Sequence, residues 1–361
     1  SRYTSSSSTK LIHGGLRYLE HYDFRLVRHS LKEREVLLRN APHIVWPLRF
    51  VLPHHSSLRP RWLIRLGLFL YDHLASREVL PGSCGIDLRQ HPSGAVLKEQ
   101  YKYGFEYSDC WVQDARLVVL NAMDARRCGA DIRVRNRCVG LERGRCHWTA
   151  TIEHAGDKKA YSVYAKTVVN AAGPWVEQVA GLNPKSQSAH GVRLVKGSHV
   201  IVDRLFDHDY VYIFQNADGR IMFAIPYEDQ FTLLGTTDVE IHGDPSKATI
   251  KAKEIAYICE NASQYFNFTI TPNDVKHSFS GVRPLFDDAS KNASKTTRDY
   301  VLHKDENGPA IVSVYGVKIT TYRVLSEQVI ELLKDNVSFS VGPWTANTPL
   351  PGGDMNVADY V

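Results

Sequence analysis

The feature that most constrains the fold is a change of sequence pattern near residue 192. Residues 192–240 contain four runs in which apolar and polar side chains alternate, "RLVKGSHVIV", "YVYIFQ", "RIMFAIPYED" and "FTLLGTTDVE". Turn residues separate these runs, and "NADGR" at 216–220 is typical of a β-hairpin turn. The pattern predicts an antiparallel sheet in this part of the chain.

The segments before residue 192 follow a helical period in three places. Helices are predicted over residues 24–40 and 59–74, and a third begins at Asp114, which can act as the N-cap, and ends before Gly129 at the C′ position. The helix over 59–74 is apolar almost all round, with three arginines at one end.

Strands are predicted between and after these helices, over residues 132–142, 147–153 and 161–170. The last run ends in the small-residue turn "NAAGPW", which is typical of the carboxyl edge of a sheet where α/β proteins bind ligands. Near residue 310, "AIVSVYGVKITTYRVLSEQVIELLKDN" predicts a strand, a glycine turn and a helix. Because α/β segments lie on both sides of an antiparallel one, the sequence predicts two interleaved domains.

Composition and charge weigh against several classes of function. The 361 residues carry a net charge of +5, which does not by itself indicate nucleic acid binding and fits an anionic substrate or an anionic membrane surface. The six cysteines include no C-x-x-C pair, so free thiols are expected rather than a zinc site or a disulfide framework. No apolar run reaches about 18 residues, so no transmembrane helix is predicted.

Several short motifs combine small residues with one charged group. "HGGLRYLE" places Gly14 and Gly15 before Arg17, so the backbone could approach an anion that the arginine holds. An ordinary Gly-Gly turn with a surface arginine is the alternative. "GVKITTYR" places Lys318 before a helix N-terminus, which favours an anion or the electron-rich edge of a ring. A well-capped helix with a surface lysine is the alternative there.

Other motifs are weaker by themselves. "NAAGPW" is either a loop whose amides approach a cofactor or a plain strand end, and the histidine of "KGSHVIV", His199, is by itself more often structural than catalytic. "GTTD" at 235–238 and "SGVRP" at 280–284 each set small residues beside one polar group.

The order of these motifs along the chain is more specific than any one of them. "TSSSSTKLIHGGLRYLEH", "FEYSDCWVQDARL", "VNAAGPWV", "RLVKGSH", "LLGTTDVE", "SGVRPL", "TTRDY" and "VKITTYR" follow one another in this sequence. From about residue 4 to residue 352, the chain resembles the FAD-dependent glycerol-3-phosphate dehydrogenases, and closely the aerobic bacterial members of that family.

The resemblance implies an α/β fold of two interleaved domains. The implied FAD-binding domain is of the glutathione-reductase or amino-acid-oxidase kind, without its first βαβ unit, and comprises residues 1–45, 110–190 and 306–340. The implied antiparallel domain binds the substrate, faces the membrane and comprises residues 46–109 and 191–305. Residues 341–361 are then a linker to a helical C-terminal domain.

The resemblance also implies the reaction. Members of the family oxidise glycerol 3-phosphate to dihydroxyacetone phosphate, and electrons pass from FAD to a membrane quinone. The protein would be a peripheral homodimer on the cytoplasmic face of the bacterial inner membrane, with no nucleic acid partner and no metal. Two alternatives are a glycerol-3-phosphate oxidase that uses O2 and an inactive truncated relative.

The site residues follow from motif matches alone. The implied substrate-binding residues are Arg17, Tyr18, Thr236 and Arg298, of which the two arginines hold the phosphate. The implied catalytic residues are His199 as general base, with Arg283 and Lys318 at the reacting end. The implied FAD-binding residues are Thr4, Ser5, Ser6, Lys10, Leu11, His13, Gly14, Ala172, Gly173, Trp175, Gly316, Val317, Ile319 and Thr320.

Two departures from the family pattern stand out. The sequence contains no G-x-G-x-x-G loop, which supplies the main amides for the FAD pyrophosphate, so we expect a fragment that binds FAD weakly or not at all. Val317 stands where the family usually has a second glycine. The helix over 59–74, with Trp62, Phe69 and Tyr71, is predicted to lie on the membrane surface, and a buried helix with a basic end is the alternative.

Overall fold

The computed structural model describes residues 3–183, 190–287, 299–316, 318–339 and 341–355. Its α-helices within these residues are α1 (Phe24–Asn40), α2 (Arg61–His73), α3 (Asp114–Arg127), α4 (Val176–Ala180), α5 (Ala252–Tyr265) and α6 (Tyr322–Leu332). Its strands there are β1 (Leu11–Ile12), β2 (Val45–His54), β3 (Cys84–Asp87), β4 (Tyr103–Val112), β5 (Asn136–Arg143), β6 (Trp148–His154), β7 (Ala160–Ala165), β8 (Val168–Asn170), β9 (Val192–Asp203), β10 (Val211–Gln215), β11 (Ile221–Tyr227), β12 (Phe231–Gly235), β13 (Val239–Glu240), β14 (Val275–Phe286), β15 (Val301–Asp305) and β16 (Ile311–Tyr315).

Helix α1 confirms the prediction over 24–40 at both ends. Asp23 precedes it, and its Oδ1 accepts a hydrogen bond from the Leu26 N–H at 3.2 Å, which caps the first turn. Val27 and Leu31 recur at helical spacing and are buried against the strands beneath them. Local periodicity and a local cap therefore suffice to define this helix.

Ten strands form one large sheet, whose main path runs β1-β4-β2-β10-β11-β12-β9-β13, with β14 beside β9 and β3 beside β4. The strands within 192–240 pair antiparallel, as predicted. Strand β10 also runs parallel to β2, and this pairing brings residues 45–54 and 103–112 into the same sheet. Helix α5 covers one face through a cluster that includes Ile258 and Ala262.

A smaller sheet carries the α/β part of the chain. Strand β8 lies parallel to β16, and β15 pairs antiparallel with β16. The carboxyl ends of parallel strands meet at one edge of a sheet. The turn after β8, beginning at Ala171, and the turn after β16, at Gly316, therefore lie close together, although about 145 residues separate them in sequence.

The structure corrects three details of the sequence analysis. Asp114 is the first residue of α3 and Gln113 is the cap, because the Asp114 carboxylate is engaged by Lys10 and Ser8. The run 161–170 is two strands, since β7 pairs with β6 and β8 pairs with β16 in a different sheet. The helix after Gly316 begins at Tyr322, and Ile319–Thr321 form a short 3-10 turn before it.

Helix α2 lies where the sequence predicts a helix, but it is not buried. Only Leu68 and Tyr71 of its residues are buried, whereas Trp62, Leu66 and Phe69 are 68%, 46% and 49% exposed. None of the helices in the described part of the chain is long and apolar enough to cross a membrane.

Candidate active site

Strand β9 positions the site because successive side chains point to opposite faces of a strand. Gly197 and His199 face a cavity, whereas Lys196 and Ser198 point toward the N-terminal end of α5. The neighbouring strand β14 is in register with β9, so that Gly281 lies opposite Gly197. Arg283, two residues further along β14, faces the same cavity.

The cavity has a volume of about 750 Å³ and runs between the large sheet, the N-terminal segment and the small parallel sheet. Small residues of the segments 4–9 and 171–173 line one part of it. Aromatic and aliphatic side chains line another part, namely Leu16, Phe50, Tyr107, Ile213, Ile221 and Phe223. This combination of an apolar wall and a few polar groups is typical of a ligand site.

Two glycines, on β9 and β14, let other groups of the cavity wall pack directly on the strand backbone. A Cβ on Gly281 would lie 2.6 Å from the carbonyl oxygen of Ser7, so the N-terminal segment can close over β14 only if residue 281 has no side chain. A Cβ on Gly197 would lie 2.5 Å from the Arg283 guanidinium and 2.7 Å from Thr236 Oγ1. The space above both glycines is therefore filled by the N-terminal segment and by Arg283 with Thr236, which themselves line the cavity.

His199 is buried, with only 1% of its surface exposed, and its ring stacks on Phe279 with the centroids 4.9 Å apart. Its Nε2 shares a hydrogen bond with Thr9 Oγ1 at 3.0 Å, whereas Nδ1 has no hydrogen-bond partner among the described residues. Burial, together with the positive charges of Arg283 and Lys10, lowers the pKa of His199 to about 3. The imidazole is therefore neutral at physiological pH, with one ring nitrogen carrying a lone pair, and it is a weak base as long as both cations stay uncompensated.

Arg283 is held from two sides. Its guanidinium forms an ion pair with Asp238 and donates a hydrogen bond to Thr236 Oγ1 at 3.2 Å. All three side chains line the cavity. The fixed partners orient the arginine in a cavity wall that it shares with His199.

The loop "HGGLRY" forms the opposite wall. Gly15 has a φ of +84°, which turns the chain so that Arg17 and Tyr18 reach the cavity. Among the described residues, Arg17 makes no hydrogen bond or ion pair, so its donors are free for an anion. The Lys318 ammonium donates to Ser30 Oγ at 2.7 Å and lies 5.2 Å from the centre of the Tyr18 ring.

A buried network supports β9 from behind. The Glu254 carboxylate accepts hydrogen bonds from Lys196 Nζ at 2.5 Å and from Ser198 Oγ and Thr237 Oγ1, both at 2.8 Å. Although burial alone would raise the pKa of Glu254, these bonds lower it. The carboxylate is therefore charged and joins α5 to β9 and to residues 236–238, two segments that carry cavity residues on their other side.

The predicted site residues come together from distant parts of the chain. All the described substrate and catalytic candidates line the cavity, namely Arg17, Tyr18, Thr236, His199, Arg283 and Lys318. So do eight FAD candidates, namely Thr4, Ser5, Leu11, His13, Ala172, Gly173, Trp175 and Ile319. Arg298 and Val317 lie outside the described residues.

The other FAD candidates lie behind the cavity wall. The Lys10 ammonium points away, toward Asp114 Oδ1 at 2.7 Å, and Ser6 Oγ donates to the Tyr3 carbonyl. Thr320 Oγ1 exchanges hydrogen bonds with the backbone of His13. The remaining two are glycines, Gly14 and Gly316, whose positions are filled by close backbone or side-chain neighbours. Each of these residues shapes the wall rather than forming its surface.

Sequence reasoning missed several residues of the wall. Thr9, Asp238 and Asp109 all line the cavity and bond to other site groups. Asp238 could have been found, because it is the last residue of the "GTTD" motif. The partner of Thr9 lies 190 positions away, and no local pattern indicates such a pairing.

The cavity fits a flavin dinucleotide. The aromatic rings of Tyr3 and Trp175 meet edge to face with centroids 4.9 Å apart, and both side chains line the cavity together with the small-residue wall and His199. Thr4 Oγ1 donates to the Val282 carbonyl at 2.6 Å, which fastens the N-terminal segment across β14. The residues present thus suit a long ligand with a planar apolar part.

The fold and this cavity define an FAD-dependent oxidoreductase. Residues 1–323 match the family model described as FAD dependent oxidoreductase. The crystal structure of the Bacillus halodurans glycerol-3-phosphate dehydrogenase complexed with FAD superposes with a TM-score of 0.75 at 25% identity, over 97% of this chain and 61% of that one. The cofactor of this protein is FAD.

Two curated relatives are similar over nearly the whole chain. A glycerol-3-phosphate dehydrogenase of Pseudomonas aeruginosa is 52% identical over 98% of this chain and 69% of its own length. A D-erythritol 1-phosphate dehydrogenase of Brucella abortus is 49% identical over 99% of this chain and 71% of its own length. The chain belongs to the family of FAD-dependent glycerol-3-phosphate dehydrogenases.

Proposed function

We propose that this protein oxidises sn-glycerol 3-phosphate to dihydroxyacetone phosphate. The observation that carries the proposal is one cavity in which the unpaired Arg17 faces the neutral His199 and the fixed Arg283. Such a site can hold a phosphate at one end and a secondary alcohol at the other. The names of the relatives supply the substrate.

The phosphate end is the part of the cavity beside Arg17. Its guanidinium has no partner among the described residues and can donate two parallel hydrogen bonds to phosphate oxygens. Tyr18 stands next to it in the chain, and Thr236 lines the same cavity beside Arg283. We assign these residues, together with Arg298, to substrate binding.

The reacting end lies around His199. FAD, when bound, supplies a hydride acceptor. The neutral His199 takes the hydroxyl proton through Nε2 once the Thr9 hydroxyl turns aside, because Nδ1 is fully buried. Arg283 and Lys318 stabilise the oxygen as negative charge develops, because both are fixed cations in a partly buried site.

We assign the FAD end to the small-residue wall. The segment from Thr4 to His13 and the turn from Ala172 to Trp175 lie where a dinucleotide can be held against their backbone. Ile319, at the start of the short turn before α6, lies at the edge of the same space. Residues 1–45, 110–190 and 306–340 would form the FAD-binding domain, and residues 46–109 and 191–305 the substrate domain.

We propose a membrane quinone as the electron acceptor and a peripheral position on the cytoplasmic face of the inner membrane, as a homodimer. Support comes from α2, which exposes Trp62, Leu66 and Phe69 beside the basic residues Arg61 and Arg65. An apolar face flanked by arginines suits the surface of an anionic bilayer. The rival acceptor is O2, which needs no such surface.

If α2 lies on the membrane, substitutions on its exposed apolar face should abolish binding to the membrane. Replacing Trp62 and Phe69 by Ser should release the FAD-loaded protein from anionic liposomes in a flotation assay, with activity toward a soluble dye acceptor retained. The control replaces Val134 and Tyr164, which are 74% and 69% exposed on another surface. Equal retention of both variants would argue against α2 as the docking surface.

A second substrate deserves a direct comparison, because the relative from Brucella abortus is named for D-erythritol 1-phosphate. The longer polyol phosphate needs more room beyond the reacting carbon, where Phe50, Tyr107 and Phe223 line the wall. The test is anaerobic bleaching of the bound flavin by glycerol 3-phosphate, by erythritol 1-phosphate and by glycerol. Bleaching by glycerol 3-phosphate at the highest kcat/KM supports the proposal, and bleaching by none of the three overturns it.

A further inference from the structure

The peptide of Gly14, three residues before Arg17, is held from both sides. Its N–H donates to Asp109 Oδ1 at 3.1 Å, and its carbonyl oxygen accepts from the Lys318 ammonium at 3.5 Å. The next residue, Gly15, has a φ of +84° and turns the chain toward the cavity. The direction of Arg17 therefore depends on how firmly the Gly14 peptide is fixed.

Asp109 is a buried residue of β4 whose carboxylate is fully engaged. Besides Gly14 N–H, its oxygens accept from Arg34 Nη1 and from the Tyr71 hydroxyl, each at 2.8 Å. Arg34 is itself fixed, because it also donates to the Ser108 carbonyl at 2.9 Å. A carboxylate with this many donors is a support rather than a proton acceptor.

Tyr71 also supports the loop by contact. A Cβ on Gly14 would lie 2.5 Å from the Tyr71 hydroxyl oxygen and 2.4 Å from Leu31 Cδ2, so the loop rests directly on these side chains. Tyr71 is one of the two buried residues of α2 and its ring packs in the core with Tyr107. The hydroxyl reaches the loop and the carboxylate at the same time.

We infer that Tyr71 and Asp109 are positioning residues, which fix the Gly14 peptide and through it the guanidinium of Arg17 over the substrate phosphate. This inference rests on the proposed function only for the identity of the ligand at Arg17. Neither residue is part of the motif that suggested the phosphate site, and α2 lies more than 40 positions along the chain from that motif.

The first test is Tyr71→Phe in the FAD-loaded protein, which removes the hydroxyl and keeps the ring. We expect KM for glycerol 3-phosphate to rise about fivefold, the factor that one lost hydrogen bond represents, with kcat changed less than about twofold. Hydrogen exchange of the peptide that contains the Gly14 amide should become faster by a similar factor. The matched control is Tyr101→Phe, whose hydroxyl donates to the Gln264 carbonyl in a different cluster.

A double-mutant cycle separates positioning from general destabilisation. If Tyr71 acts through Arg17, Tyr71→Phe has no further effect on KM in an Arg17→Ala background. Additive effects, or an unchanged KM in the single variant, overturn the inference. Gly14→Ala is a second variant, because its methyl group would push the loop off Tyr71 without removing the hydroxyl, and it too should raise KM more than it lowers kcat.

The two proposals fail differently. If the wild-type protein does not oxidise glycerol 3-phosphate, the proposed function fails, and exchange of the Gly14 amide still tests the support of the loop. If the wild type is active and Tyr71→Phe leaves both KM and amide exchange unchanged, the proposed function stands and the positioning role is wrong.

Discussion

On the side of strand β9 that faces α5, the Lys196 ammonium and the Ser198 hydroxyl are hydrogen-bonded to one buried carboxylate, Glu254. On the cavity side, one position away, Gly197 has no side chain and His199 keeps a ring nitrogen without a partner among the described residues. Arg17 faces the same space and is likewise unpaired there. The polar side chains on one face of β9 are thus hydrogen-bonded, whereas the face toward the cavity leaves a polar group without a hydrogen-bond partner.

The difference shows where the fold uses polar groups for stability and where it keeps them for a ligand. Buried polar groups are normally hydrogen-bonded, because leaving one unpaired costs about 1–3 kcal/mol. Other buried polar atoms of the described residues also lack a partner, so it is the place of His199 in the cavity wall, together with its unpartnered nitrogen, that indicates function. Substitutions on the α5 side should change stability, and substitutions on the cavity side should change catalysis.

The largest effect is expected on the α5 side. Glu254→Ala leaves the Lys196 ammonium buried without its partner, so the free energy of unfolding should fall by about 3–5 kcal/mol in denaturant titrations. The control is Asp203→Ala, which removes an exposed ion pair between the same strand, β9, and Lys276 of β14. That control should cost less than about 1 kcal/mol. Equal losses would remove the distinction between the two faces.

The second prediction concerns binding. Arg17→Ala should raise KM for glycerol 3-phosphate about 100-fold, as expected for lost charge-assisted hydrogen bonds of about 3 kcal/mol. Because Arg17 has no partner among the described residues, the free energy of unfolding should change by less than about 0.5 kcal/mol. Arg89→Ala, in an exposed ion pair with Asp87, serves as the control and should leave KM unchanged. A stability loss without a KM effect would contradict the assignment.

The third prediction concerns the floor of the cavity. The methyl group of Gly281→Ala would lie 2.6 Å from the Ser7 carbonyl oxygen, and relieving that overlap should cost about 1–3 kcal/mol and weaken FAD binding. Gly85→Ala, in β3, has open space at its Cβ and should change neither quantity. The amount of flavin retained after desalting measures the difference. Full retention by Gly281→Ala would mean that the segment 4–9 does not close over β14 in solution.

The fourth prediction uses pH. The pKa of His199 is lowered to about 3 in the folded protein, from about 6.5 when unfolded. As the pH falls from 6.5 toward 3, the unfolded chain takes up a proton that the folded chain does not, so stability is lost by up to about 1.4 kcal/mol per pH unit. His199→Gln should lack this pH dependence. As the pH is lowered from 7 to 5, the free energy of unfolding of the wild type should therefore fall relative to that of the variant, by up to about 1.4 kcal/mol per pH unit. Parallel curves would show that the imidazole is not buried in the neutral form.

The sequence predicted those parts of the fold that local patterns define. Helix α1 has its period and its cap within 18 residues, and the β10–β11 hairpin has its turn between adjacent strands. The pairing of β10 with β2 was not predictable, because it joins strands more than 150 residues apart and is set by the packing of the whole sheet.

For the site as well, residues in local motifs could be predicted from the sequence, and long-range contacts could not. Arg17, His199 and Arg283 were found because they belong to motifs, and the resemblance to a family gave those motifs a common purpose. The groups that hold them were not found. Asp109 bonds to Gly14, 95 positions away, and Glu254 bonds to Lys196, 58 positions away, and neither carboxylate lies in a motif that indicates such bonds.

The most direct test of the account is the rate at which excess glycerol 3-phosphate bleaches the flavin of the His199→Gln variant under anaerobic conditions. If the cavity face of β9 carries the chemistry, the rate constant at saturating substrate should fall at least about 100-fold, with the half-saturating concentration nearly unchanged. A variant that bleaches at the wild-type rate would contradict the account, because His199 would then be one more buried histidine in the core.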